Sequence, residues 1–275
     1  DPDMALAWAG LSKTIAERTG FGFDTGFVAG YGQAREAAEK AIELDPKLPE
    51  AYLALSEVQR SHDWDWPAVE SSLRRALELR PGDPDIRAKL AELLTIRGHI
   101  AGALSQTEQV LAQDPLNERV QRQRIWILIA LDRDDEAVAG AQQMMAANPD
   151  RATLGVLLSV AHYERGEYKE ALEAAKKETF PFLRLTVEAI DYYALGDIKT
   201  ADEKLSQLVE YGDDVSYQIA ANYSLRGDLD RAFEALERGY AIRDPGLVMI
   251  QAHTAFDPLR DDPRYDALLK KMGMR

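Results

Sequence analysis

The spacing of four prolines is the feature of this sequence that most constrains its fold. Each follows an apolar run that ends in a polar residue, and the four are Pro46, Pro81, Pro115 and Pro149. Successive members are 35, 34 and 34 residues apart. Because proline has no backbone N–H to continue an α-helix, each one is predicted to follow the end of a helix. A chain that repeats itself at this interval is expected to stack like units in a row, as solenoids do.

Two further landmarks recur within the units. The first is a residue suited to a tight turn, found at Gly98, Asp132, Gly166, Gly196 and Gly227. The second is an alanine five positions later, found at Ala103, Ala137, Ala171, Ala201 and Ala232. Glycine adopts the left-handed conformation that ends a helix, and alanine lets two helices approach closely. The unit is therefore predicted to be two helices joined by a short turn, which at 34 residues is typical of the tetratricopeptide repeat.

The sequence thus predicts an all-α fold, a right-handed superhelical solenoid of about seven helix–turn–helix repeats with C-terminal capping helices. The predicted repeats are residues 3–46, 47–81, 82–115, 116–149, 150–180, 181–212 and 213–245, and the cap is 246–275. The first repeat carries an insertion, and the fifth is shortened and breaks at Phe180 and Pro181. A cap is expected because the last repeat of a solenoid would otherwise expose an apolar face. No Gly/Ser-rich linker interrupts the series, so residues 1–275 are predicted to form one domain.

Two segments resemble a narrower group of repeat proteins. They are HDWDWPAVESSLRRALELRP (residues 62–81) and a tail that contains GDLDRAFEALERGYAIRDP (227–245) and FDPLRDDPRYDALLKKMGM (256–274). Both resemble the C-terminal tetratricopeptide regions of bacterial multidomain signalling proteins, and the resemblance covers nearly the whole chain. In that group a winged-helix DNA-binding domain, a class III adenylate or guanylate cyclase domain or a Ser/Thr kinase domain precedes the repeats. The resemblance implies a regulatory or scaffolding role within a larger protein, and the start at Asp1 without a methionine fits that expectation.

Composition restricts the chemistry available to the chain. It has no cysteine, which leaves no disulfide, thiolate metal site or cysteine nucleophile. Its formal net charge of −14 opposes a phosphate backbone, so we expect no direct nucleic-acid binding. No apolar run approaches the roughly 20 residues that span a bilayer, and no membrane insertion is expected. A cytoplasmic location is expected, with the periplasm as the alternative if a membrane span precedes the repeats in the parent protein.

Motifs for catalysis or for cofactor binding are absent from the sequence. There is no phosphate-binding loop, no dinucleotide fingerprint and no HExxH zinc motif. We therefore predict that the chain is not an enzyme and binds no cofactor and no metal. His62 and the Asp and Trp residues after it fit either a metal site or a turn whose tryptophans pack on neighbouring helices. The aromatic stretch from Gly20 to Gly32 fits either a ligand-gripping loop or an inter-helix loop packed by Phe21, Phe23 and Phe27.

The predicted binding surface is the concave face of the superhelix. In tetratricopeptide proteins the second, fifth, ninth and twelfth repeat positions of each first helix face this groove, and stacked repeats use it to bind. The strongest candidates are Leu53, Glu57, Arg60, Glu92, Arg119, Arg122, Trp126, Ile129, Val160, Tyr163, Ile190, Tyr193 and Tyr217. The same rule also selects Glu50, Asp85, Ala88, Thr95, Thr153, Val156, Leu183, Thr186, Asp214, Ala221 and Ser224.

These positions predict an acidic first half of the groove and an aromatic and aliphatic middle, with Arg119 and Arg122 at the junction. Aromatic residues and arginine are favoured anchors of interfaces, so a peptide or protein partner is expected to dock near Trp126, Tyr163 and Tyr193. Two other functions stay open: self-association as a homodimer, and recognition of a small molecule by the aromatic groove. A tight superhelix that buries the same aromatic side chains as core is the structural alternative.

Overall fold

The computed structural model of the chain describes residues 4–20, 26–149 and 151–275. The described residues form fifteen α-helices, and no β-strand occurs among them. The first eight helices are α1 Ala5–Gly20, α2 Phe27–Leu44, α3 Pro49–Val58, α4 Trp66–Leu79, α5 Pro84–Ile96, α6 Ile100–Gln113, α7 Glu118–Ile129 and α8 Asp134–Ala147. The others are α9 Leu154–Glu164, α10 Tyr168–Ala175, α11 Pro181–Ala194, α12 Ile198–Val209, α13 Ser216–Leu225, α14 Leu229–Ile242 and α15 Pro263–Lys271.

Helices α1 to α14 form seven consecutive pairs, and the two helices of each pair pack extensively against one another. Shorter helical turns join or follow them: a π-helical turn over Gln59–Asp63 and 3₁₀ turns over Gly212–Val215, Pro245–Met249 and Thr254–Leu259. Helix α15 follows the last pair. The predicted all-α tetratricopeptide superhelix with a C-terminal cap is confirmed.

The turn and alanine landmarks occupy the positions that their chemistry requires. The turn residues all have positive φ, from 55° at Asp132 to 82° at Gly196. Four of the five are glycine, which adopts this conformation without steric cost, and Asp132 is the exception. The alanines five positions later, Ala103, Ala137, Ala171, Ala201 and Ala232, are each 0% exposed. They lie where the two helices of a pair are closest, so a larger side chain would separate the pair.

Helix starts follow the local sequence. Asp262 accepts a hydrogen bond from the backbone N–H of Arg264 at 2.9 Å, and Pro263 fills the first position of α15. Asp65 and Asp83 cap α4 and α5 in the same way. Side-chain oxygens at these positions satisfy N–H groups that have no partner inside the helix. The tail segment RDDPRYD thus begins a helix with an Asp cap and a first-turn proline.

Part of the aromatic stretch from Gly20 to Gly32 is helical. Helix α1 runs to Gly20 and α2 begins at Phe27, so residues 27–32 belong to a helix rather than to a loop. Phe27 is buried against Ala16 and Tyr31 in the core of the first repeats. Phe21 and Phe23 lie outside the described residues.

The C-terminal segment, residues 245–275, reaches far across the fold. It belongs to the largest apolar cluster, which joins Phe256 and Leu268 near the C-terminus to Trp64 and Trp66 of the second pair. The indole Nε1 of Trp66 donates to the carbonyl of Met272 at 2.8 Å. This segment caps the last repeat, as the sequence predicts, and it also contacts the second helix pair, which the sequence does not predict.

Candidate functional site

The first helices of successive pairs form a continuous inner face. Helices α5, α7, α9, α11 and α13 contact each other in that order. All the groove positions selected from the sequence lie on these helices, on α3 or in the short segments that adjoin them. Most of these side chains are partly buried. The inner face is therefore the place to search for a binding site.

Four charged side chains on α3, α5 and the turn after α3 form a closed group, here called the charged network: Glu57, Arg60, Lys89 and Glu92. Glu57 accepts hydrogen bonds from Arg60 and Lys89, and from the hydroxyl of Ser61 at 2.9 Å. Lys89 Nζ also donates to Glu92 Oε2 at 2.8 Å. Two cations meet two carboxylates, so the charges within the network balance.

The pKa values reflect this mutual compensation. Burial alone would raise the pKa of Glu57, but the positive charges of Arg60 and Lys89 outweigh it and hold that pKa well below its ordinary value. Burial opposes the charge of Arg60 as well, yet the charges of Glu57 and Glu92 raise its pKa. Glu57, Glu92 and Arg60 are therefore ionised at neutral pH. The prediction of an acidic first half of the groove is wrong at these positions, because Arg60 and the unselected Lys89 neutralise the carboxylates.

A cavity of about 340 Å³, here called the α7 pocket, opens next to the charged network. Helices α5, α7, α9 and α11 surround it, together with Met249 from the C-terminal segment. Its walls are Glu92, Thr95, Arg119, Arg122, Gln123, Trp126, Ile127, Thr153, Val156, Leu157, Leu183 and Met249. Apolar side chains supply most of this surface, and two arginines supply the positive charge. The structure thus brings together Glu92, Arg119, Arg122 and Trp126, four of the strongest candidates.

Arg122 has an unusual environment in this pocket. Its Nη1 donates to the hydroxyl of Thr153 at 3.0 Å, and its Nε is buried with no hydrogen-bond partner. Burial lowers the pKa of Arg122, the charges of Arg151 and Arg119 lower it further, and Glu118 opposes them. Glu118 itself is paired with Arg151 at 3.2 Å. The guanidinium of Arg122 therefore remains charged but poorly compensated.

Thr153, the hydroxyl partner of Arg122, has a strained backbone. Its φ is 73° and its ψ is −10°, a left-handed conformation that β-branched residues rarely adopt. Such a conformation costs about 1–3 kcal/mol and persists where the surroundings fix it. Here the backbone N–H of Thr153 donates to Glu178 Oε1 at 3.2 Å, and the neighbouring Gly155 lies against the backbone of Glu178. This left-handed backbone conformation places the Thr153 hydroxyl beside Arg122 at the edge of the pocket.

The inner face beyond the α7 pocket is covered by the C-terminal segment. The ring of His253 lies 5.6 Å from that of Trp126 and 5.9 Å from that of Tyr217, measured between centroids. Burial lowers the pKa of His253 to about 4, so the imidazole is neutral at pH 7. Tyr217 also contacts Phe256, and its hydroxyl is buried without a partner. The chain itself therefore covers Tyr217 and one edge of Trp126.

Val160, Tyr163 and Ile190 line a second cavity of only about 20 Å³, which leaves no room for a ligand. Asp191 and Glu164 border the same space, and Thr254 of the C-terminal segment donates to Glu164 at 2.5 Å. Desolvation raises the pKa of Asp191 to about 8, although a hydrogen bond from the Ser159 hydroxyl at 3.0 Å opposes the shift. Asp191 is therefore mostly protonated at pH 7. This region is a packed interface rather than an open groove.

The remaining candidates lie in other surroundings. The prediction that Ile129 faces the groove is wrong. Ile129 is 2% exposed and packs in the core formed by the fourth and fifth helix pairs, because the C-terminal turn of α7 points between them. Of the wider set, Ala88, Thr95, Thr186, Ala221 and Ser224 are likewise buried. Tyr193 is covered by the guanidinium of Arg226, 4.8 Å from its ring centroid. Leu53 packs against the largest apolar cluster.

The segment from His62 to Trp66 forms a turn. A π-helical turn ends at Asp63, and Trp64 follows in the left-handed conformation with φ of 56°. His62 Nδ1 lies 3.1 Å from a carboxylate oxygen of Asp63. Among the described residues, no three or more His, Asp or Glu side chains are grouped so that they could hold a metal ion. Trp64 and Trp66 are buried against the C-terminal segment rather than against neighbouring repeats alone.

Comparison with known proteins supports this reading of the fold. The sequence profile of the tetratricopeptide repeat family matches residues 65–125, a range that includes the charged network residues Lys89 and Glu92 and both pocket arginines. Cellulose synthase 2 operon protein C of Komagataeibacter xylinus is 34% identical over 116 residues, or 40% of this chain. The chain spans 9% of the length of that protein. The chain therefore contains tetratricopeptide repeats.

Solved structures share the architecture at low identity. PilW, a type IV pilus biogenesis factor, aligns over 74% of this chain and 92% of the PilW chain. The TM-score is 0.58 and the sequence identity is 21%. A tetratricopeptide repeat protein from Parabacteroides merdae aligns with 90% of this chain and 99% of its own, with a TM-score of 0.56 and 16% identity. At these identities the likeness establishes the fold alone. No helix in the described part of the chain has the length and apolar character needed to cross a bilayer.

Proposed function

We propose that the chain is a non-catalytic interaction module that binds a protein or peptide in the α7 pocket of its concave face. The observation that carries this proposal is the pocket itself, where a poorly compensated guanidinium borders an apolar wall. Aromatic and arginine side chains in a partly desolvated recess are the usual anchors of an interface. The tetratricopeptide fold supports it, since stacked repeats present extended concave surfaces to partners.

The resemblance to bacterial signalling proteins supports a regulatory or scaffolding role within a larger protein. In this proposal the repeats recruit the partner, and an attached domain supplies the output. Binding by the pocket is independent of the identity of that domain and of the cytoplasmic location, which stays a prediction. Both follow from the parent protein rather than from the pocket.

A pocket-filling substitution tests the proposal. Leu183 lines the pocket from α11, so Leu183→Trp places a larger side chain in the cavity. Val209→Trp, at an exposed position of α12, is the matched control. We expect peptides selected from a random display library on the unaltered chain to bind Val209→Trp equally and to lose at least about tenfold in affinity for Leu183→Trp. Equal binding by both variants, with unchanged helicity, would show that the binding surface lies outside the pocket.

Self-association is a second candidate, favoured by one observation. Large apolar side chains in and just before the first helix pair are exposed: Met4 is 49%, Leu6 49%, Leu11 46% and Val28 59% exposed. Exposed apolar surface at the end of a solenoid offers a contact surface for a second copy. Sedimentation equilibrium of the chain and of a Leu6→Glu, Val28→Glu variant measures it. A monomer at all concentrations would end this candidate, whereas a dimer lost in the variant would support it.

A further inference from the structure

The positive charge of the α7 pocket is an exception in an acidic protein. The chain carries a formal net charge of −14, yet the charged side chains on the α7 wall of the pocket are Arg119 and Arg122. Glu92 also borders the pocket, but Lys89 already compensates it at 2.8 Å. Arg119 has one exposed ion-pair partner, Asp85, at 3.3 Å. The pocket therefore presents net positive charge to an incoming group.

The guanidinium of Arg122 has capacity for a further acceptor. Thr153 occupies its Nη1, whereas its Nε is buried without a partner. A buried donor without an acceptor costs free energy, and this cost is recovered when a ligand supplies the acceptor. The Nε edge of an arginine matches the two oxygens of a carboxylate, which it binds through two parallel hydrogen bonds. The chemistry at this point fits a carboxylate better than a neutral acceptor.

Backbone groups near the pocket are not free to bind an anion. The first N–H groups of α9 would be the obvious donors, but the N–H groups of Thr153 and Val156 donate to the carboxylate of Glu178, at 3.2 and 3.3 Å. Peptide C-termini are commonly captured by such backbone N–H groups. Because Glu178 already occupies these two donors, the side chains of Arg119 and Arg122 are the charged donors left for an incoming carboxylate. This favours the carboxylate of an acidic side chain over a terminal carboxylate.

Apolar walls adjoin the arginines. Trp126, Leu183 and Met249 enclose the rest of the cavity, whose volume of about 340 Å³ accommodates side chains rather than a folded domain. An acidic side chain alone would leave the apolar walls of the cavity in contact with water. A bulky apolar neighbour would cover it and would strengthen the adjacent charge pair by excluding water.

We propose that the α7 pocket receives an acidic side chain of a partner peptide together with a bulky apolar side chain next to it, the carboxylate bound by Arg122 and Arg119 and the apolar group by Trp126, Leu183 and Met249. This inference rests on the proposed function and names the class of partner. The strained Thr153 has a part in this arrangement, because its hydroxyl accepts from Nη1 and thereby orients the Arg122 guanidinium.

The test uses a library of nonapeptides with blocked ends, so that no terminal charge is present. One set has Glu beside Leu, Phe or Trp at the centre, and the matched set has Gln in place of Glu. Fluorescence anisotropy measures the binding of each set to the chain and to Arg122→Gln and Arg122→Lys. Arg238→Gln, which removes an exposed arginine on α14, is the control.

We expect the Glu set to bind at least about tenfold more tightly than the Gln set, and Arg122→Gln to abolish that preference. Arg122→Lys should keep a part of it, and Arg238→Gln should keep all of it. Equal binding of the Glu and Gln sets, or a preference that survives in folded Arg122→Gln, would overturn the inference.

Other outcomes separate this inference from the proposed function. If binding is lost in Leu183→Trp but does not depend on Glu, the pocket binds peptides and the acidic preference is wrong. If the same nonapeptides bind only when their C-terminus is left unblocked, a terminal carboxylate rather than a side chain is recognised, and the inference is overturned. If no peptide of either set or of the display library binds, both the inference and the pocket as a peptide site are wrong.

Discussion

The two parts of the concave face are built from the same repeat and have different surroundings. On α3, α5 and α7 the charged inner side chains either compensate one another in the charged network or border the α7 pocket. Further along the inner face, around Tyr163, Ile190 and Tyr217, the C-terminal segment covers the side chains, with His253 beside Tyr217 and Thr254 on Glu164. Repeat position decides which side chains point inwards, whereas contacts distant in sequence decide which of them stay accessible.

The C-terminal segment also contributes a wall of the α7 pocket. Met249 closes one side of the α7 pocket, and it belongs to the covering segment rather than to the repeats around the cavity. The covered part of the inner face therefore supports the open part. Changes that detach the C-terminal segment are expected to alter the pocket as well as the stability of the fold.

The largest expected effect comes from removing the central anchor of the covered part. Phe256 is 0% exposed and contacts Tyr217, with ring centroids 5.0 Å apart. Phe256→Ala leaves a cavity and should lower the free energy of unfolding by about 3–5 kcal/mol, as buried aromatic truncations do. Urea denaturation followed by circular dichroism measures it. Leu116→Ala, at a side chain 83% exposed, should change it by less than about 0.5 kcal/mol. A small effect of Phe256→Ala would mean that the segment is not anchored as described.

The second effect depends on pH and concerns Asp191. Its pKa is about 8 in the folded chain against an ordinary value of 3.8, so between these pH values the unfolded chain releases a proton that the folded chain keeps. The free energy of unfolding therefore falls as pH rises toward 8. Asp191→Asn removes this dependence and should stabilise the protein by about 2–4 kcal/mol at pH 8 compared with its effect at pH 5.

Thermal and urea unfolding at a series of pH values measures the effect of Asp191→Asn. Glu17→Gln, at an exposed position of α1, is the control and should leave the profile unchanged. If Asp191→Asn shifts stability equally at pH 5 and pH 8, the carboxyl is not protonated in the folded chain.

The third effect tests the charged network of the open part. Lys89→Met leaves the carboxylates of Glu57 and Glu92 with Arg60 as their remaining cation, and these side chains are largely buried. Breaking a buried network leaves uncompensated charge, so we expect a loss of about 1–3 kcal/mol. Lys40→Met removes a cation from a surface pair with Glu43 and should cost less than about 0.5 kcal/mol. Equal losses of stability from the two substitutions would show that the Lys89 side chain is exposed to solvent.

The fourth effect is the loss of stability at acidic pH that results from the burial of His253. The pKa of His253 is about 4 in the folded chain against an ordinary 6.5, so between these values the unfolded chain binds a proton that the folded chain does not. The free energy of unfolding falls as pH falls through this window. His253→Phe keeps a ring against Trp126 and Tyr217 and should reduce the acid loss by about 1–2 kcal/mol at pH 5. Urea unfolding at pH 5 and pH 7 measures it, and an unchanged slope would assign the acid loss to other groups.

Local chemistry accounts for what the sequence predicts correctly. Proline, glycine and alanine act through backbone geometry and close packing, and both are fixed within a repeat, so the helix pairs and their turns can be read from the period. The same holds for the Asp caps, which act within three residues. Arg119, Arg122 and Trp126 are selected by repeat position, and the structure places all three on the α7 pocket.

Contacts over long distances in sequence account for what it misses. Trp66 and Met272 are 206 residues apart, and no periodic signal links them. Without that contact the cover over Tyr163, Ile190 and Tyr217 cannot be foreseen. Lys89 is missed because it is not at a groove position, although its spacing of three residues from Glu92 is a usable signal for an ion pair. The strain at Thr153 has no sequence signature, because threonine is an unusual choice for a left-handed position.

The smallest expected effect addresses the one departure from the glycine pattern. Asp132 has φ of 55° at the turn where the other repeats use Gly98, Gly166, Gly196 and Gly227. In this conformation a residue with a Cβ carries a steric strain of roughly 1 kcal/mol, which glycine does not have. Glycine is also more flexible in the unfolded chain, and this flexibility offsets part of the gain. Asp132→Gly should therefore raise the free energy of unfolding by about 0.5 kcal/mol, and the relief of repulsion with Asp134 acts in the same direction. Urea denaturation at low and high salt separates the two causes: the backbone gain persists at high salt, whereas the charge contribution is screened. A destabilised Asp132→Gly variant would show that the Asp132 side chain contributes a contact that outweighs its strain.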